Sequence, residues 1–530
     1  MILFTEHLRA QSLAAAAPGQ PDRTVLVGDV VTMNSSRQIV KGGRVCIEGD
    51  SVAAVLKPNE ALPPQFSSAT IVDTQGTIYP GLIDLHNHLT YNMVPLWSVP
   101  RKYTNRNKWR TSEPLYDSGV KKPASLLADN PDKDYRRAIV RFAECRNLLG
   151  GVTTGQGMSL STSSGFKKYF KGLMRNVESP LDSTWPAAGG QTLDYSPSQI
   201  AGELVPALAK NRPFFYHLSE GTDGPARQRF LDLKLPDGTW AINKWLICIH
   251  CVALKPDDFD QIKQAAGVVW SPTSNLLLYG QTAHVEAIKD RKIPLALGAD
   301  WSPSGCKNLL GELKVARATS HHLNNLYSAQ DLVEMVTVTP AKMIGWDAMI
   351  GSISPGLRAD LIVLEGKSPD PYTALIDANE SALRAILIDG RIRMGEAGNF
   401  TVGSPQTSEV FAIGSKHYLL DLTETEDDGL GGMSLATAIS KLSFGLQHLP
   451  DLAASFQAKV QALSLAGGAD DWRLDQDMGN DAPGVMAMSA ALDPQIAPMR
   501  LDPITAVDDP TFATRMKANV NLPAYAKQAF

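Results

Sequence analysis

Short apolar runs that alternate with helix-like segments dominate the chain between residues 79 and 345. Seven of these runs are clear, and in chain order they read "GLIDLHNH", "GVTTGQGMS", "KGLMRNVES", "PFFYHLSE", "WLICIHCV", "GVVWSPTSN" and "IPLALGADW". Fully apolar strands are typical of parallel sheets, because helices cover the faces of such sheets. An eighth strand, the fourth in order, is expected near "STWPAAGGQTLDY", where the pattern is weakest. The middle of the chain is therefore predicted to have parallel β/α architecture.

Short β-rich runs of another kind flank this region on both sides. From about Thr24 to Val72 the chain gives the runs "RTVLVGDVVTM", "GGRVCIEGDSVAAVL" and "SATIVDTQGTIY", which are separated by Gly and Asp turns. The runs "DLIVLEG" and "LRAILIDGRIRMG" have the same character and begin at Asp360 and Leu383. We therefore expect the two ends of this part of the chain to share one sheet.

After Gly403 the pattern becomes helical. In "SLATAISKLSFGLQHL" the apolar residues fall on one helical face, and these are Leu435, Ala438, Ile439, Leu442, Leu446 and Leu449. Pro450 interrupts this pattern, which then repeats in "DLAASFQAKVQAL" with Leu452, Phe456, Val460 and Leu463. The spacing predicts a helical hairpin, and a lid or a dimer contact are the roles open to it. Beyond Gly467 the chain is rich in Asp, Pro and Met without a period, which predicts a wrapping or partly disordered tail.

The first apolar run ends in two histidines separated by one residue. Because side chains alternate along a strand, Asp84, His86 and His88 are expected on one face. Two imidazoles at this spacing suit a metal ion. A pair of hydrogen-bonded core histidines is the alternative, and the motif alone does not decide between them.

Three later runs also end in groups that bind metals. His217 ends "RPFFYH", His250 ends "KWLICIH" and Asp300 ends "KIPLALGAD". In β/α barrels the carboxyl ends of the strands carry the active site, with ligands contributed by several strands. Three histidines and one carboxylate suit Zn²⁺ or Fe²⁺ and leave a position for water. We therefore expect a metal site at this end of the strands.

These motifs make the sequence resemble the amidohydrolase superfamily of metal-dependent hydrolases over about Thr24 to Met394. The motifs are "PGLIDLHNH", "GVTT", "HLSE", "IHCV", "SPTSN", "LGAD" and "TVTPAKMIGWDAMIGSISPGLRADLIVL". The resemblance implies an α/β fold with a TIM-like (β/α)8 barrel, a composite β-sandwich and, here, a C-terminal helical extension. The predicted domains are residues 1–78 and 346–402 for the two parts of the sandwich, 79–345 for the barrel and 403–530 for the extension.

The resemblance also implies roles for the strand-end residues. By motif, His86, His88, His217 and Asp300 match the protein ligands of one divalent ion, Zn²⁺ or alternatively Fe²⁺. His250 matches the histidine that hydrogen-bonds the metal-activated water or the substrate. Asp300 is also expected to be the first proton acceptor.

No lysine stands at a clear fourth-strand end, where the binuclear members of the superfamily carry a carbamylated lysine. Lys167, Lys168 and Lys171 lie in a segment that reads as the approach to the third strand. A carbamylated-lysine bridge is therefore disfavoured, and the site is predicted to be mononuclear.

Glu220 narrows the predicted chemistry. It lies three residues after His217 in "HLSE", and HxxE at this strand is similar to the mononuclear deaminase and cyclic C–N hydrolase branch. A carboxylate beside an activated water can take a proton from it and pass one to a substrate nitrogen. The prediction is a hydrolase of carbon–nitrogen bonds other than peptide bonds, acting by hydrolytic deamination of an N-heterocycle. Imidazolonepropionase-like ring opening of a cyclic amide and triazine dechlorination are the alternatives, and a non-catalytic scaffold is the remote one.

The segment from Met93 to Lys122 is basic and aromatic. It carries seven Lys or Arg residues against Glu113 and Asp117, with Trp97, Tyr103, Trp109 and Tyr116 interleaved. A loop that leaves the first barrel strand overhangs the active site, so these side chains could hold a planar or anionic small molecule. A subunit contact or a solvated lid is the alternative.

Composition limits the remaining possibilities. The 530 residues are 44% apolar and 20% charged with a net charge of -5, which is typical of a globular protein and gives no basic excess for nucleic acid. Five cysteines are too few and odd in number for a disulfide framework. The N-terminus lacks the apolar core of a signal peptide, and no uncharged run reaches the length of roughly 18 residues that a membrane span needs. We expect a cytoplasmic homo-oligomer, a dimer, without nucleic-acid or membrane partners.

Overall fold

The computed structural model describes residues 22–157, 159–162, 167–169, 172–404, 407–424, 430–455, 472–474 and 496–530. The strands are β1 Arg23–Val31, β2 Ile39–Glu48, β3 Ser51–Leu56, β4 Thr70–Pro80, β5 Leu82–Asp84, β6 Val152–Gly155, β7 Ser159–Thr162, β8 Lys167–Tyr169, β9 Arg175–Asn176, β10 Gly189–Gln191, β11 Phe214–Leu218, β12 Leu246–His250, β13 Gly267–Trp270, β14 Leu295–Leu297, β15 Leu361–Glu365, β16 Leu383–Ile388, β17 Arg391–Glu396, β18 Ser408–Ile413, β19 Lys416–Asp421 and β20 Trp472–Leu474.

Helices alternate with these strands through the middle of the chain. The α-helices are α1 Arg106–Arg110, α2 Pro114–Tyr116, α3 Lys122–Ala128, α4 Lys133–Leu149, α5 Pro197–Gln199, α6 Val205–Leu208, α7 Gly224–Leu231, α8 Phe259–Ile262, α9 Pro272–Tyr279, α10 Val285–Asp290, α11 Leu309–His322, α12 Ala329–Glu334, α13 Val338–Met343, α14 Pro371–Asp377, α15 Leu435–Gln447 and α16 Phe512–Ala518. Short π-helices span Asp117–Lys121 and Ile200–Leu204.

Strands from both flanks of the central region form one nine-stranded sheet. Its order is β18-β19-β17-β16-β15-β4-β1-β2-β3. The two flanks meet where β15 pairs antiparallel with β4, with Leu361 opposite Pro80. The prediction of a shared sheet is therefore confirmed, and β18 and β19 extend that sheet beyond residue 403.

The central strands form two parallel sheets, of order β5-β6-β9 and β10-β11-β12-β13-β14. The weak fourth strand is β10, which lies in the segment where it was expected. Backbone contacts join the two sheets on both sides. The Ala188 amide donates to the Val177 carbonyl at 2.8 Å, and Asn87 forms a parallel bridge with Asp300. The carboxyl ends of these strands consequently lie near one another.

Alternating side chains of the parallel strands pack into two different apolar clusters. In β12, Ile247 and Ile249 belong to one cluster, whereas Leu246 and Cys248 belong to another that includes the covering helices. This period of two is what a strand buried on both faces requires. All five cysteines are buried and free.

The C-terminal extension begins with the predicted amphipathic helix. Helix α15 is capped by the Ser434 side chain, which accepts from the Thr437 amide. Its apolar face is buried, and Gly445 lets it approach Tyr135 of α4. Helical structure resumes at residue 449 and continues to residue 455. Phe456, Val460 and Leu463 of the predicted second arm lie outside the described residues.

The tail from residue 496 onward wraps across the central region. Phe512 and Met516 of α16 pack against Leu276 of α9, and Lys307 forms a buried ion pair with Asp509 at 3.0 Å. Among the described residues, no helix is both long enough and apolar enough to cross a membrane.

Candidate metal centre and active site

The first and last parallel strands bring His86, His88 and Asp300 together through their backbones. The Asp300 amide donates to the His86 carbonyl at 2.8 Å, and the His88 amide donates to the Asp300 carbonyl at 2.6 Å. Asp300 has a left-handed φ of 63°, as does His250 with a φ of 70°. Such conformations are costly for non-glycine residues and cluster at functional sites. The backbone therefore turns these side chains toward a common point.

Three imidazoles and one carboxylate converge at this point. His86 Nε2 and His88 Nε2 lie 3.1 Å and 3.4 Å from Asp300 Oδ1. His217 Nε2 lies 3.3 Å from His88 Nε2. The ligand atoms of His86, His88 and His217 lie within 4.8 Å of one another, as do those of His86, His250 and Asp300. The structure thus brings together the four side chains that the sequence suggested as metal ligands.

The hydrogen bonding of His86 indicates that this cluster fits a cation. The side-chain oxygen of Gln156 lies 3.4 Å from His86 Nδ1 and also accepts from the Asn87 amide. This contact places the imidazole hydrogen on Nδ1, so Nε2 presents its lone pair. Nε2 is buried and has no hydrogen-bond partner among the described residues, although Asp300 Oδ1 is close. A lone pair and a carboxylate oxygen that face each other need a positive ion between them, and N/O donors of this kind suit Zn²⁺ or Fe²⁺.

The electrostatics of the cluster keep His217 neutral and Asp300 ionised. Burial, reinforced by neighbouring histidines, lowers the pKa of His217 well below its usual value. Burial would raise the pKa of Asp300, but the surrounding His86, His250 and His88 outweigh it and hold that pKa below its usual value. Neutral imidazole and ionised carboxylate are the forms that bind metals.

Asp84 supports the same strand end. It accepts from the amides of His86 and Ala299 at 3.2 Å each and from the Asn87 side chain at 3.1 Å. Burial nevertheless raises the pKa of Asp84 to about 6. Asp84 therefore ties the first strand end to the last and lies beneath the ligands.

Glu220 lies beside this cluster and is buried. Its Oε2 is 3.8 Å from His250 Nε2 and 3.4 Å from Arg106 Nη1, and its Oε1 accepts from the Tyr279 hydroxyl at 2.6 Å. Burial raises the pKa of Glu220, while the Arg106 guanidinium opposes that rise. The structure thus places this carboxylate next to His250, where a proton could be moved.

A relay of hydrogen bonds fixes the tautomer of His250. Trp270 Nε1 donates to Thr282 Oγ1 at 2.6 Å, and that hydroxyl lies 3.5 Å from Asn275 Oδ1. With Oδ1 facing Thr282, Asn275 Nδ2 faces His250 Nδ1 at 3.0 Å and donates to it. Burial lowers the pKa of His250 well below its usual value, so the ring is neutral and carries its hydrogen on Nε2. His250 therefore presents a donor to the site.

The lid segment, defined as residues 93–122, is folded down over the cluster. Its aromatic side chains pack on one another, and Trp109 also contacts Trp301, which lies 5.9 Å from the His88 ring. Arg101 pairs with Glu113, and Arg106 pairs with Asp194 and Glu220. These two arginines therefore bind protein carboxylates, whereas the sequence left substrate contacts, a subunit contact and a solvated lid open.

Lysine contributes no ligand at the fourth parallel strand. β10 is followed by Thr192, Leu193 and Asp194. Lys167 and Lys168 lie on β8, which pairs with β7 in a separate small sheet, and Lys171 lies outside the described residues.

Sequence reasoning missed several residues that support the site. Gln156 contacts His86 and Tyr279 contacts Glu220, each from far away in the sequence. Asp194 and Thr282 lie one contact further out, on Arg106 and Asn275. The apolar helix "PTSNLLLY" gives no signal that its last residue, Tyr279, reaches Glu220, since that contact depends on how α9 docks against the strand ends.

Comparison with known proteins agrees with the fold. The model described as "Amidohydrolase family" matches residues 232–393. The 5-methylthioadenosine/S-adenosylhomocysteine deaminase of Thermoanaerobacter pseudethanolicus is 30% identical over 407 residues, covering 69% of this chain and 92% of the relative.

Two solved structures share the fold at 16% identity. An adenosine deaminase from Xanthomonas campestris with bound zinc aligns with a TM-score of 0.57, covering 81% of this chain and 98% of that one. The atrazine chlorohydrolase of Arthrobacter aurescens complexed with zinc also aligns with a TM-score of 0.57, covering 80% of this chain and 99% of that one. These alignments support a TIM-like fold.

The fold, the site and these comparisons define a hydrolase that acts on carbon–nitrogen bonds. The chain belongs to the amidohydrolase family, as its motifs indicated.

Proposed function

We propose that the chain removes the amino group of an N-heterocycle by hydrolysis, and that aminopurine nucleosides are the substrate class. The observation that carries this proposal is the position of Glu220. Its Oε2 lies 3.8 Å from His250 Nε2, beside the cluster of three histidines and Asp300. Hydrolytic deamination needs a group that carries a proton to the substrate nitrogen, and a buried carboxylate at this place can do so.

The names of similar proteins support the substrate class. The relative from Thermoanaerobacter pseudethanolicus is named as a deaminase of 5-methylthioadenosine and S-adenosylhomocysteine, which are both adenine nucleosides. This chain covers 92% of that relative. The solved structure from Xanthomonas campestris is named an adenosine deaminase. Aminopurines are planar, so they also suit a site that lies beneath aromatic side chains.

Four residues would hold one divalent ion, preferably Zn²⁺ with Fe²⁺ as the alternative. These are His86, His88, His217 and Asp300. When bound, such an ion lowers the pKa of water and acts as a Lewis acid.

The residues of the chain perform the proton transfers. Asp300, held ionised, accepts the first proton of the attacking water. His250 donates its Nε2 hydrogen bond to the oxygen that adds to the ring carbon. This first proton passes on to Glu220, whose Oε2 delivers it to a ring nitrogen of the substrate. As the carbonyl forms, Asp300 takes the remaining proton of the added oxygen and gives it to the amino nitrogen. The bond between the ring carbon and the amino nitrogen breaks, ammonia leaves, and both carboxylates are ionised again.

The proposal also covers the closure of the barrel, the sandwich, the compartment and the oligomeric state. The parallel strands β5, β6 and β9 to β14 close into a (β/α)8 barrel, and the nine-stranded sheet belongs to a composite sandwich. The chain acts in the cytoplasm as a homodimer on a small molecule.

The test is a substrate panel with the purified chain loaded separately with Zn²⁺ or Fe²⁺. The panel contains adenosine, 5-methylthioadenosine, S-adenosylhomocysteine, a cyclic amide and atrazine. Ammonia release from an aminopurine supports the proposal. Gain of one water without ammonia would indicate ring opening, and chloride release would indicate dechlorination; either result alone would overturn deamination.

Two variants test the assigned roles. Glu220→Gln and Asp300→Asn should each lose most of the ammonia release while the chains remain folded. The exposed Glu203 provides a matched control, and Glu203→Gln should keep full activity. Full turnover by Glu220→Gln would remove Glu220 from the proton transfer.

A further inference from the structure

Two residues hold the carboxylate of Glu220, and both come from outside its own strand. The Tyr279 hydroxyl at the end of α9 donates to Oε1 at 2.6 Å, and Arg106 Nη1 in the lid segment lies 3.4 Å from Oε2. Tyr279 is 59 residues away in the chain, and Arg106 is 114 residues away. Such a carboxylate is fixed in orientation only when these distant elements are in place.

The direction of the Tyr279 hydrogen bond is set by the lid segment. Trp109 Nε1 carries a hydrogen and has no lone pair to offer, so it donates to the Tyr279 oxygen at 2.9 Å. The hydroxyl hydrogen of Tyr279 must therefore point at its acceptor, Glu220 Oε1. Trp109 and Tyr279 are both almost fully buried, so this chain of bonds is shielded from water.

Arg106 joins Glu220 to a second carboxylate. Its Nη2 lies 3.0 Å from Asp194 Oδ1, and its Nη1 donates to the Thr192 carbonyl at 2.6 Å. The Arg106 amide also donates to the Glu220 carbonyl at 3.2 Å. Arg106 thus holds Glu220 by both its side chain and its backbone.

The backbone next to Glu220 allows the lid segment to approach closely. The Thr222 amide donates to the Thr104 carbonyl at 2.7 Å, and Asn105 forms an antiparallel bridge with Gly221. A Cβ on Gly221 would lie 2.5 Å from the Thr104 carbonyl oxygen, and Gly221 has a φ of 144°. A glycine is required here, because any side chain would push the lid segment away.

We propose that Arg106, Trp109 and Tyr279 are positioning residues that couple closure of the lid segment to the orientation of Glu220. We call these three residues the Glu220 clamp. The inference rests on the proposed function, in which Glu220 transfers the proton. Within the clamp, Tyr279 anchors Oε1 and Arg106 lies beside Oε2, and Oε2, which also faces His250, is the oxygen that carries the proton. A lid segment that is open, without Arg106 and Trp109 in place, would leave Glu220 unaligned.

Tyr279→Phe is the most direct test, because it removes one hydroxyl and keeps the ring. Loss of a buried hydrogen bond to a charged acceptor should lower kcat by about 10- to 100-fold, while KM should change by less than about threefold. The metal content should be unchanged, because Tyr279 contacts no proposed ligand. Tyr79→Phe is a matched control: its hydroxyl donates to the Pro371 carbonyl at 2.7 Å within a buried region away from the site, and it should keep full kcat.

A double variant distinguishes positioning from a general loss of packing. Trp109 acts on Glu220 through Tyr279, so Trp109→Phe and Tyr279→Phe should not be additive. The double variant should lose about as much kcat as Tyr279→Phe alone, whereas independent packing effects would multiply. Gly221→Ala adds a backbone test, since it displaces the lid segment without changing a clamp side chain and should lower kcat as well.

The outcomes separate the clamp from the function on which it rests. An unaltered, metal-loaded chain that releases no ammonia from any aminopurine overturns the proposed function and the clamp with it. An active unaltered chain with full kcat in Tyr279→Phe overturns the clamp alone. Multiplicative losses in the double variant would also overturn the clamp.

Discussion

Replacing Gly298 by alanine should weaken metal binding without removing any ligand. Gly298 follows β14 and lies close to His86, which follows β5. A Cβ at this position would lie 2.6 Å from His86 Cβ, 3.1 Å from the His86 carbonyl oxygen and 2.9 Å from a methyl group of Val269. Non-bonded carbon atoms prefer separations of about 3.5–4.0 Å, so His86 or residue 298 must move by about 1 Å.

The size of this displacement sets the expected effect. Metal-ligand distances tolerate only about 0.2 Å, so a shift of about 1 Å disturbs the position of His86 Nε2 substantially. Changes that misorient a ligand typically lower metal affinity by about 10- to 100-fold. Overpacking of this kind also destabilises a core by about 1–3 kcal/mol, which leaves a large domain folded.

The assay is competition for Zn²⁺ between the apoprotein and a coloured chelator, with thermal unfolding as the check on folding. Gly224→Ala is a matched control, because a Cβ there meets no atom within 4 Å. It should keep the unaltered affinity. If Gly298→Ala remained folded and bound Zn²⁺ as tightly as the unaltered chain, the position of His86 would not govern the metal site, and the reasoning would be refuted.

Two further predictions concern the relay behind His250 and the pH dependence of stability. Asn275→Ala removes the donor to His250 Nδ1 and should lower kcat by about 10-fold or more with metal content unchanged, whereas Thr282→Val, one bond further away, should cost less; equal kcat in all three chains would contradict the relay. Burial raises the pKa of Glu312 from 4.5 to about 7, so the folded chain keeps the proton that the unfolded chain loses above pH 4.5. The free energy of unfolding is therefore highest below pH 4.5 and falls by about 3 kcal/mol as pH rises to about 7. The free energy of unfolding, measured with urea, should therefore depend less on pH over this range in Glu312→Gln than in the unaltered chain. An equal dependence on pH in the two chains would contradict the assignment.

The ligand positions could be predicted because they depend on local rules. His86, His88, His217 and Asp300 each follow a short apolar run, and the carboxyl ends of parallel strands meet. The shared sheet was predictable for the same reason, since β-rich runs flank the central region on both sides. The first helix of the predicted hairpin, α15, was predictable from the helical spacing of its apolar residues.

The environment of Glu220 could not be predicted in this way. Its partners, Arg106 and Tyr279, belong to a lid segment and to a helix whose docking is set by packing across many residues. The sequence left open whether the lid arginines contact substrate, because charge alone does not say whether a buried arginine meets a ligand or a protein carboxylate. The structure pairs Arg106 with Asp194, which no motif indicated.

The central claim is that one divalent ion lies among His86, His88, His217 and Asp300. Elemental mass spectrometry of the chain purified without chelator measures this directly, with His86→Ala as the comparison. The account predicts about one Zn or Fe per chain, lost in the variant. Two ions per chain, or a folded chain that takes up none when Zn²⁺ and Fe²⁺ are supplied, would contradict it.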